Sequence, residues 1–216
     1  MILNQKTAQK TASLLLQIKA IKLNPKNPFQ WASGWMSPIY CDNRMVLSHP
    51  QIRTYMSQEI AAEIKKEFSK NIVIAGVATG AIGMGTLVAQ ALEAPFIYVR
   101  PQPKKHGKKN QIEGQLKAGQ EVVVIEDLIS TGQSSLNAVA ALRAEGAIVN
   151  QMVAIFTYGF QQASEHFKKE RVALKTLCDY EHLLPQALSQ NYISESDLNF
   201  LQSWRKNPSQ WGAHSS

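Results

Sequence analysis

Two adjacent carboxylates, Glu126 and Asp127, directly follow an apolar run of β-branched residues at 122–125. Such a run is typical of a buried strand in a parallel sheet, and ligands of these sheets bind beyond the carboxyl ends of the strands. Two carboxylates this close repel each other unless a cation lies nearby. The pair therefore suits the hydroxyls of a ribose, or a metal ion that a phosphorylated ligand carries.

A turn of small residues, Ser130, Thr131 and Gly132, follows the acids and precedes a predicted helix from about 134 to 145. Backbone N–H groups that converge at a helix start, together with the positive end of the helix dipole, bind phosphate. An ordinary loop between a strand and a helix is the alternative, because short motifs are weak evidence. Acids at a strand end and a turn at a helix start are nevertheless the context that a sugar phosphate requires.

The densest positive charge lies in the segment 98–116, YVRPQPKKHGKKNQIEGQL. Arg100, Lys104 and His106 place up to three positive charges on a loop that prolines and a glycine keep irregular. For KKHGKK alone, a solvated basic loop is the ordinary explanation. A catalytic role is also open, because such a loop could close on a diphosphate and exclude water.

Apolar runs alternate with helical patterns along most of the chain. The predicted strands cover 71–76, 94–100, 122–127, 147–158 and 171–180, and the predicted helices cover 6–22, 50–68, 81–93, 134–145, 179–189 and 194–205. Ser48 is predicted to cap the second helix and Ser194 the last. This order predicts an α/β fold with a parallel sheet and helices on both faces. Residues 21–50 are rich in Pro, Ser, Asn and aromatics, which predicts a small hairpin layer.

Composition restricts the class of protein. The chain has 216 residues, of which 44% are hydrophobic, so it can bury a core as one domain. It lacks the apolar run of about 18–20 residues that spans a bilayer, and its N-terminus is a poor signal peptide. Cys41 and Cys178 lack metal-ligand spacing, which favours reduced thiols and a cytoplasmic location. The net charge of +7 suits phosphates or nucleic acid, or simply a solvated Lys-rich surface.

Four segments together resemble one family. Residues 122–135, VVVIEDLISTGQSS, resemble the 5-phosphoribosyl-1-diphosphate (PRPP) motif of type I phosphoribosyltransferases. The segment 98–116 resembles the catalytic loop of orotate phosphoribosyltransferases, in which Arg-x-x-x-Lys-x-His-Gly contacts the diphosphate in the neighbouring subunit's site. Residues 29–50 resemble the hood that covers the base in that family, and residues 76–85 resemble its diphosphate loop. The resemblance spans about residues 5–205.

The resemblance implies an orotate phosphoribosyltransferase of pyrimidine biosynthesis. It implies the type I fold as a single domain over 1–216, with a hood at about 1–48 plus the C-terminal helices and a core at about 49–180. Arg100, Lys104 and His106 would be catalytic and bind PRPP, and Ser130 would also touch orotate. The remaining PRPP ligands would be Glu126, Asp127, Leu128, Ile129, Ser130, Thr131, Gly132, Gln133 and Ser134. Mg²⁺ would be bound mainly through PRPP rather than by a protein site, and the loop at 100–110 would be shared across a homodimer.

Two positions depart from the family pattern. Met36 stands where the hood usually has a lysine, and it either leaves a charge missing or fills an apolar gap while another cation serves. Gln133 stands where a small residue, often glycine, follows the turn, and little is lost unless that position needs a positive φ. Two alternatives therefore stay open. One is transfer to a purine or another pyrimidine, and the other is a non-catalytic PRPP-sensing regulator that binds nucleic acid, although no helix-turn-helix or RNA-binding signature is present.

Overall fold

Buried β-branched runs form the centre of the fold, as the computed structural model shows for residues 1–31, 33–68, 71–102, 110–209 and 211. The helices of these residues are α1 (Gln5–Gln17), α2 (Pro50–Glu67), α3 (Ile82–Leu92), α4 (Gln133–Ala144), α5 (Gln161–Lys169), α6 (Tyr180–Ser189) and α7 (Glu195–Lys206). The strands are β1 (Ile21–Leu23), β2 (Phe29–Gln30), β3 (Met36–Ser37), β4 (Ile39–Cys41), β5 (Ile72–Val77), β6 (Phe96–Val99), β7 (Ile112–Glu113), β8 (Glu121–Ile129), β9 (Ile148–Thr157) and β10 (Ala173–Asp179). A 3-10 helix, Asn43–Ser48, precedes α2.

The main sheet has the order β10-β9-β8-β5-β6-β7. Its first five strands are mutually parallel, and β7 pairs antiparallel to β6 at the edge. Every residue of β5 is buried, which is typical of a parallel strand that has helices on both faces. The predicted α/β fold with a central parallel sheet is confirmed. The antiparallel edge strand was not predicted, because two residues are too few to show a period.

Each face of the sheet has its own apolar layer. Val73 and Val124 point to the face that α4 and α5 cover, where Leu142 and Phe167 are buried. Their immediate strand neighbours, Ile74 and Val123, join the opposite layer with α1, α2, α3 and α6. Side chains alternate between faces along a strand, so both faces need apolar residues. This explains why β5 and residues 122–125 of β8 appear in the sequence as continuous apolar runs.

The hood consists of two small antiparallel pairs, β1 with β4 and β2 with β3. Trp31 and Trp35 of the β2–β3 hairpin lie against the end of β9 and against α7. Trp204 of α7 is fully buried, and its Nε1 donates a hydrogen bond to the carbonyl oxygen of Met36 at 3.3 Å. The predicted hairpin layer is confirmed, and the C-terminal helix holds it.

Two local predictions were wrong, and one helix was missed. The first helix ends at Gln17 instead of 22, because Lys19 adopts a left-handed φ of 56° and Ile21 begins β1. His49, not Ser48, precedes α2, without a side-chain cap hydrogen bond, and Pro50 occupies the first turn. The helix α5 was not predicted, because only Ala163 and Phe167 of its nine residues are buried. Within the described ranges, none of the helices has the length and apolar character that crossing a membrane requires.

Candidate active site

A cavity of about 610 Å³ opens at the carboxyl edge of the sheet, between the ends of β5 and β8 and the residues that follow β4. Residues 77–80 line one wall, and Cys41, Asp42 and Arg44 line another. The predicted site residues that line it are Arg100, Glu126, Asp127, Leu128, Ser130, Thr131, Gly132 and Ser134. Ile129 and Gln133 are not among its lining residues, and Lys104 and His106 lie outside the described residues. The acids, the small-residue turn and the base of the basic loop therefore meet in one space.

The two adjacent acids have different environments. Glu126 is only 5% exposed, and its two carboxylate oxygens accept hydrogen bonds from the Ser135 hydroxyl at 2.8 Å and the Asp127 backbone N–H at 3.0 Å. Burial, and secondly the Asp127 charge, raise the pKa of Glu126 well above its ordinary value. Asp127 is partly exposed and lies against Gly80, where a Cβ would overlap its carboxylate. Glu126 therefore braces the start of α4, while Asp127 presents a carboxylate to the cavity.

The turn at 130–132 leads directly into α4. Gly132 is the N-cap residue, with a left-handed φ of 79° that favours glycine, and it provides no side-chain cap for the first N–H groups of the helix. A helix start whose N–H groups have no side-chain cap favours an anion, because the backbone donors and the helix dipole act together. The predicted phosphate turn thus has the expected local geometry.

The base of the basic loop is fixed to the sheet edge. The Arg100 backbone N–H donates to the carbonyl of Gln111 at 2.8 Å, and the Gln111 side-chain amide donates to the carbonyl of Arg100 at 2.9 Å. The Arg100 guanidinium pairs with Glu113 of β7 at 3.3 Å. These contacts hold Arg100, which lines the cavity, at the edge of the sheet.

Comparison with known proteins identifies the family. The phosphoribosyl transferase domain matches residues 46–178 of the chain. An orotate phosphoribosyltransferase of Phocaeicola vulgatus is 56% identical over 209 residues, which cover 96% of this chain and 99% of the relative. Another, from Bacteroides thetaiotaomicron, is 56% identical over 94% of this chain and 95% of the relative. The chain belongs to the orotate phosphoribosyltransferase family.

Solved structures of this family share the fold. The orotate phosphoribosyltransferase of Aeropyrum pernix is 25% identical, with a TM-score of 0.71 over 85% of this chain and 99% of that chain. The UMP synthase of Leishmania donovani is 25% identical with a TM-score of 0.76, and the match covers 91% of this chain and 42% of that longer one. The resemblance that the four sequence segments carried is thus confirmed at the level of family and fold.

The two departures from the family pattern have different structural settings. Gln133 is the first residue of α4 and is not among the residues with positive φ, so the turn does not need glycine there. Met36 is not among the described residues that line the cavity. Arg44 does line it, and the Arg44 side chain forms two hydrogen bonds to Asp42, at 2.7 and 3.0 Å. On this wall of the cavity, in the part of the chain that the structure describes, this member of the orotate phosphoribosyltransferase family thus has an arginine that is paired with an aspartate.

Sequence reasoning missed several residues that shape the site. Asn43 is 2% exposed, and its amide donates to the Asp127 carbonyl at 2.6 Å while accepting from the Cys41 thiol at 3.2 Å. Burial, and secondly the Asp127 charge, raise the pKa of that thiol well above its ordinary value. His166 and Phe167 of α5 contact the turn at 130–132 from outside the cavity. No short motif signals the contact of Asn43 with Asp127 or those of α5 with the turn, because they join residues at least 35 positions apart.

Proposed function

We propose that the protein is a pentosyltransferase that transfers ribose 5-phosphate from PRPP to orotate in pyrimidine biosynthesis. The products are orotidine 5′-monophosphate and diphosphate. The observation that carries this proposal is the single cavity in which Asp127 meets Ser130, Thr131 and Gly132 of the turn. Relatives at 56% identity over nearly the whole chain, which are named orotate phosphoribosyltransferases, support it.

The sugar phosphate would lie along the end of β8. The backbone N–H groups of residues 128–134 would bind the 5-phosphate, because they surround a helix start. Asp127 would accept hydrogen bonds from the ribose hydroxyls, with Glu126 beside it. Glu126 already accepts two hydrogen bonds within the protein, so its larger effect would be on the shape of the site. A Mycobacterium tuberculosis relative with this fold, 22% identical and with a TM-score of 0.63, has been solved in complex with PRPP.

The chain need not supply a nucleophile for this transfer. The bond between ribose and diphosphate breaks as the base approaches, so the transition state would resemble a ribosyl oxocarbenium ion. Arg100 and Lys104 would neutralise the leaving diphosphate, and His106 would donate a hydrogen bond or a proton to it. Closure of the loop that carries them would hold the reactants together and exclude water.

Mg²⁺ fits this site as a companion of the substrate. Magnesium in phosphate-binding sites is usually held by one or two carboxylates together with the phosphates of the ligand. Among the described residues, no group of three or more His, Cys, Asp and Glu side chains is placed to hold a metal, and Asp127 offers one carboxylate at the cavity. When bound with PRPP, the metal would offset the charge of the diphosphate.

Orotate would lie between the turn and the hood. Ser130 lines the cavity and would touch the base, and Arg44 would supply the positive charge that Met36 does not. Because orotate carries a carboxylate, the Arg44 guanidinium, which Asp42 orients through two hydrogen bonds, would favour it over neutral bases through its remaining N–H donors. This is the reason to prefer orotate to a purine or another pyrimidine as the acceptor.

The active unit would be a homodimer in the cytoplasm. The resemblance of the loop at 98–116 to the family's catalytic loop implies that Arg100, Lys104 and His106 serve the partner subunit's site. Neither nucleic acid nor a membrane is needed for the reaction.

The test is a purified-protein assay that follows PRPP and diphosphate in the presence of Mg²⁺. We expect PRPP to be consumed only when orotate is added, and orotate to win a competition panel of orotate, uracil, adenine and hypoxanthine. PRPP consumption without orotate dependence would contradict the proposal, and preference for a neutral base would move it to the alternative transfer. Salt-sensitive nucleic-acid binding without turnover would favour the regulator.

The variant Asp127→Asn tests the role of the exposed acid. A charge-assisted hydrogen bond contributes about 1.5–3 kcal/mol, so kcat/KM for PRPP should fall roughly 10- to 150-fold. The exposed Glu145, at the end of α4, gives a matched control, because Glu145→Gln removes a carboxylate far from the cavity. Equal activities of the two variants would remove Asp127 from the proposed site.

A further inference from the structure

The helix α5 holds the outer side of the turn at 130–132. His166 Nδ1 lies 3.0 Å from the carbonyl oxygen of Thr131. A carbonyl oxygen offers only lone pairs, so the ring nitrogen that faces it must carry a hydrogen and donate. The imidazole of His166 is therefore a hydrogen-bond donor to the backbone of the turn. It comes from α5, the helix that follows β9.

Phe167, the next residue of α5, closes the same side sterically. Phe167 is 3% exposed, and a Cβ at Gly132 would lie 2.8 Å from its ring. With the φ of 79° at Gly132, this contact leaves the turn little freedom to move outwards. The inner side is held separately, because Glu126 accepts the hydrogen bond from Ser135 on α4.

The bond to Thr131 also orients a donor that faces the cavity. A trans peptide unit is planar, so its C=O and N–H point in opposite directions. The carbonyl of Thr131 and the N–H of Gly132 belong to one peptide unit. When His166 fixes the carbonyl towards α5, the Gly132 N–H points to the opposite side, where Thr131 and Gly132 line the cavity.

We propose that His166 is a positioning residue for the 5-phosphate of PRPP: it holds the Thr131–Gly132 peptide unit so that its N–H meets the phosphate. This inference rests on the proposed function, since the phosphate in question is that of PRPP. His166 itself does not touch the substrate. Its effect belongs to the binding of any ligand with a ribose 5-phosphate, and not to the base.

Three substitutions at one position separate the hydrogen bond from general packing. The side-chain amide nitrogen of asparagine is as many bonds from Cα as Nδ1 of histidine, so His166→Asn keeps a donor in place. His166→Gln carries its amide one bond too far, and His166→Ala removes the donor. Lys168→Ala, on an exposed position of the same helix, is the control for loss of a nearby positive charge.

We expect KM for PRPP to rise roughly three- to tenfold in His166→Ala and His166→Gln, as for the loss of one neutral hydrogen bond. KM for orotate and kcat should stay near the wild-type values, and so should all constants of His166→Asn and Lys168→Ala. The dissociation constant of ribose 5-phosphate, measured by calorimetry, should follow the same order. Thermal unfolding of each variant shows whether it folds.

Two outcomes overturn the proposal. One is an unchanged KM for PRPP and an unchanged ribose 5-phosphate affinity in His166→Ala. The other is equal impairment of His166→Asn and His166→Ala, which would mean that the donor is irrelevant. Failure of the proposed function is distinguishable, because it appears as an inactive wild-type protein. The calorimetric measurement tests His166 even then.

Discussion

At the scale of single residues, Glu126 and Asp127 show how burial separates two chemically similar neighbours. Both are carboxylic acids at the end of β8, but Glu126 is 5% exposed and accepts two hydrogen bonds from the protein. An isolated buried carboxylate is costly, and hydrogen bonds offset only part of that cost. Glu126 therefore affects stability, whereas Asp127 remains available to a ligand.

The variant Glu126→Gln should change how stability depends on pH. The pKa of Glu126 is raised in the folded protein, so between its ordinary and raised values the folded state binds more protons than the unfolded state. The free energy of unfolding of the wild type should therefore fall as pH rises through this window. Chemical unfolding at several pH values should show that Glu126→Gln loses this decline and exceeds the wild type at the alkaline end.

Glu145→Gln provides the comparison for that experiment, because Glu145 is exposed and its substitution should leave the pH profile unchanged. Parallel profiles for the wild type and Glu126→Gln would show that burial of Glu126 carries no cost.

Met36 gives a second prediction at this scale. Met36 is not among the described residues that line the cavity, whereas Arg44 is one of them. We expect Met36→Lys to change kcat/KM for orotate by less than about threefold, and Arg44→Ala to lower it roughly tenfold or more. Steady-state kinetics with orotate and PRPP measures both. A large gain in Met36→Lys with no loss in Arg44→Ala would show that the hood lacks a charge.

At the scale of elements, the turn between β8 and α4 depends on two constraints at Gly132. Its φ is 79°, and the ring of Phe167 leaves no room for a Cβ. Gly132→Ala should therefore destabilise the protein by about 1–3 kcal/mol from the backbone alone, with a further steric cost. Thermal unfolding and PRPP binding should both report the loss.

Gly119 offers a matched control for that substitution. Its φ is 82°, but nothing lies within 4 Å of the Cβ that Gly119→Ala would add. The difference in unfolding free energy between the two alanine variants thus isolates the contact with Phe167. Equal destabilisation of the two alanine variants would mean that the Phe167 ring does not restrict the space at Gly132.

The sequence predicted the elements that carry a strong local pattern. β5, residues 122–125 of β8 and residues 152–156 of β9 are continuous apolar runs, and the acids and the turn that follow residue 125 have a spacing that is interpretable on its own. β1 and β7 have three and two residues, too few to display a period. α5 buries Ala163 and Phe167 only, so its sequence looks like a polar loop. The predicted 6–22 helix was too long because Ile21 pairs with Cys41 of β4 and so belongs to a strand. This pairing is a tertiary contact, which the local pattern does not show.

At the scale of the whole molecule, the unpredicted part of the site comes from contacts between distant segments. Asn43 meets the carbonyl of Asp127 across 84 positions, and His166 meets Thr131 across 35. Such pairs depend on how the hood and α5 dock on the sheet, and a single sequence contains no periodic signal for docking. The chemistry at the strand end was therefore predictable, whereas its supports were not.

The proposed homodimer predicts that two inactive variants complement each other. If Arg100 acts in the partner subunit's site, a heterodimer of Arg100→Ala and Asp127→Ala chains contains one site with neither substitution. Mixed and refolded chains, purified as verified heterodimers by two affinity tags, should recover the activity of one site per dimer. Each homodimer alone sets the baseline.

No recovery in verified heterodimers would show that each site is built within one chain. Recovery would show that one chain contributes Arg100 to the other chain's site, as a two-fold symmetric dimer allows.

The aromatic contacts of the hood have an optical consequence. The chain has four tryptophans. Trp31 and Trp35 lie in the β2–β3 hairpin, Trp204 is 5.7 Å from Trp31 between ring centroids, and Trp211 lies 4.9 Å from the ring of Phe200 on α7. Every indole chromophore therefore belongs to the hood and the C-terminal helix, and none to the turn at 130–132. Native fluorescence should respond when a ligand displaces the hairpin and should stay constant when inorganic phosphate fills the turn. The base side and the phosphate side of the site therefore have separate spectroscopic signatures without an added label.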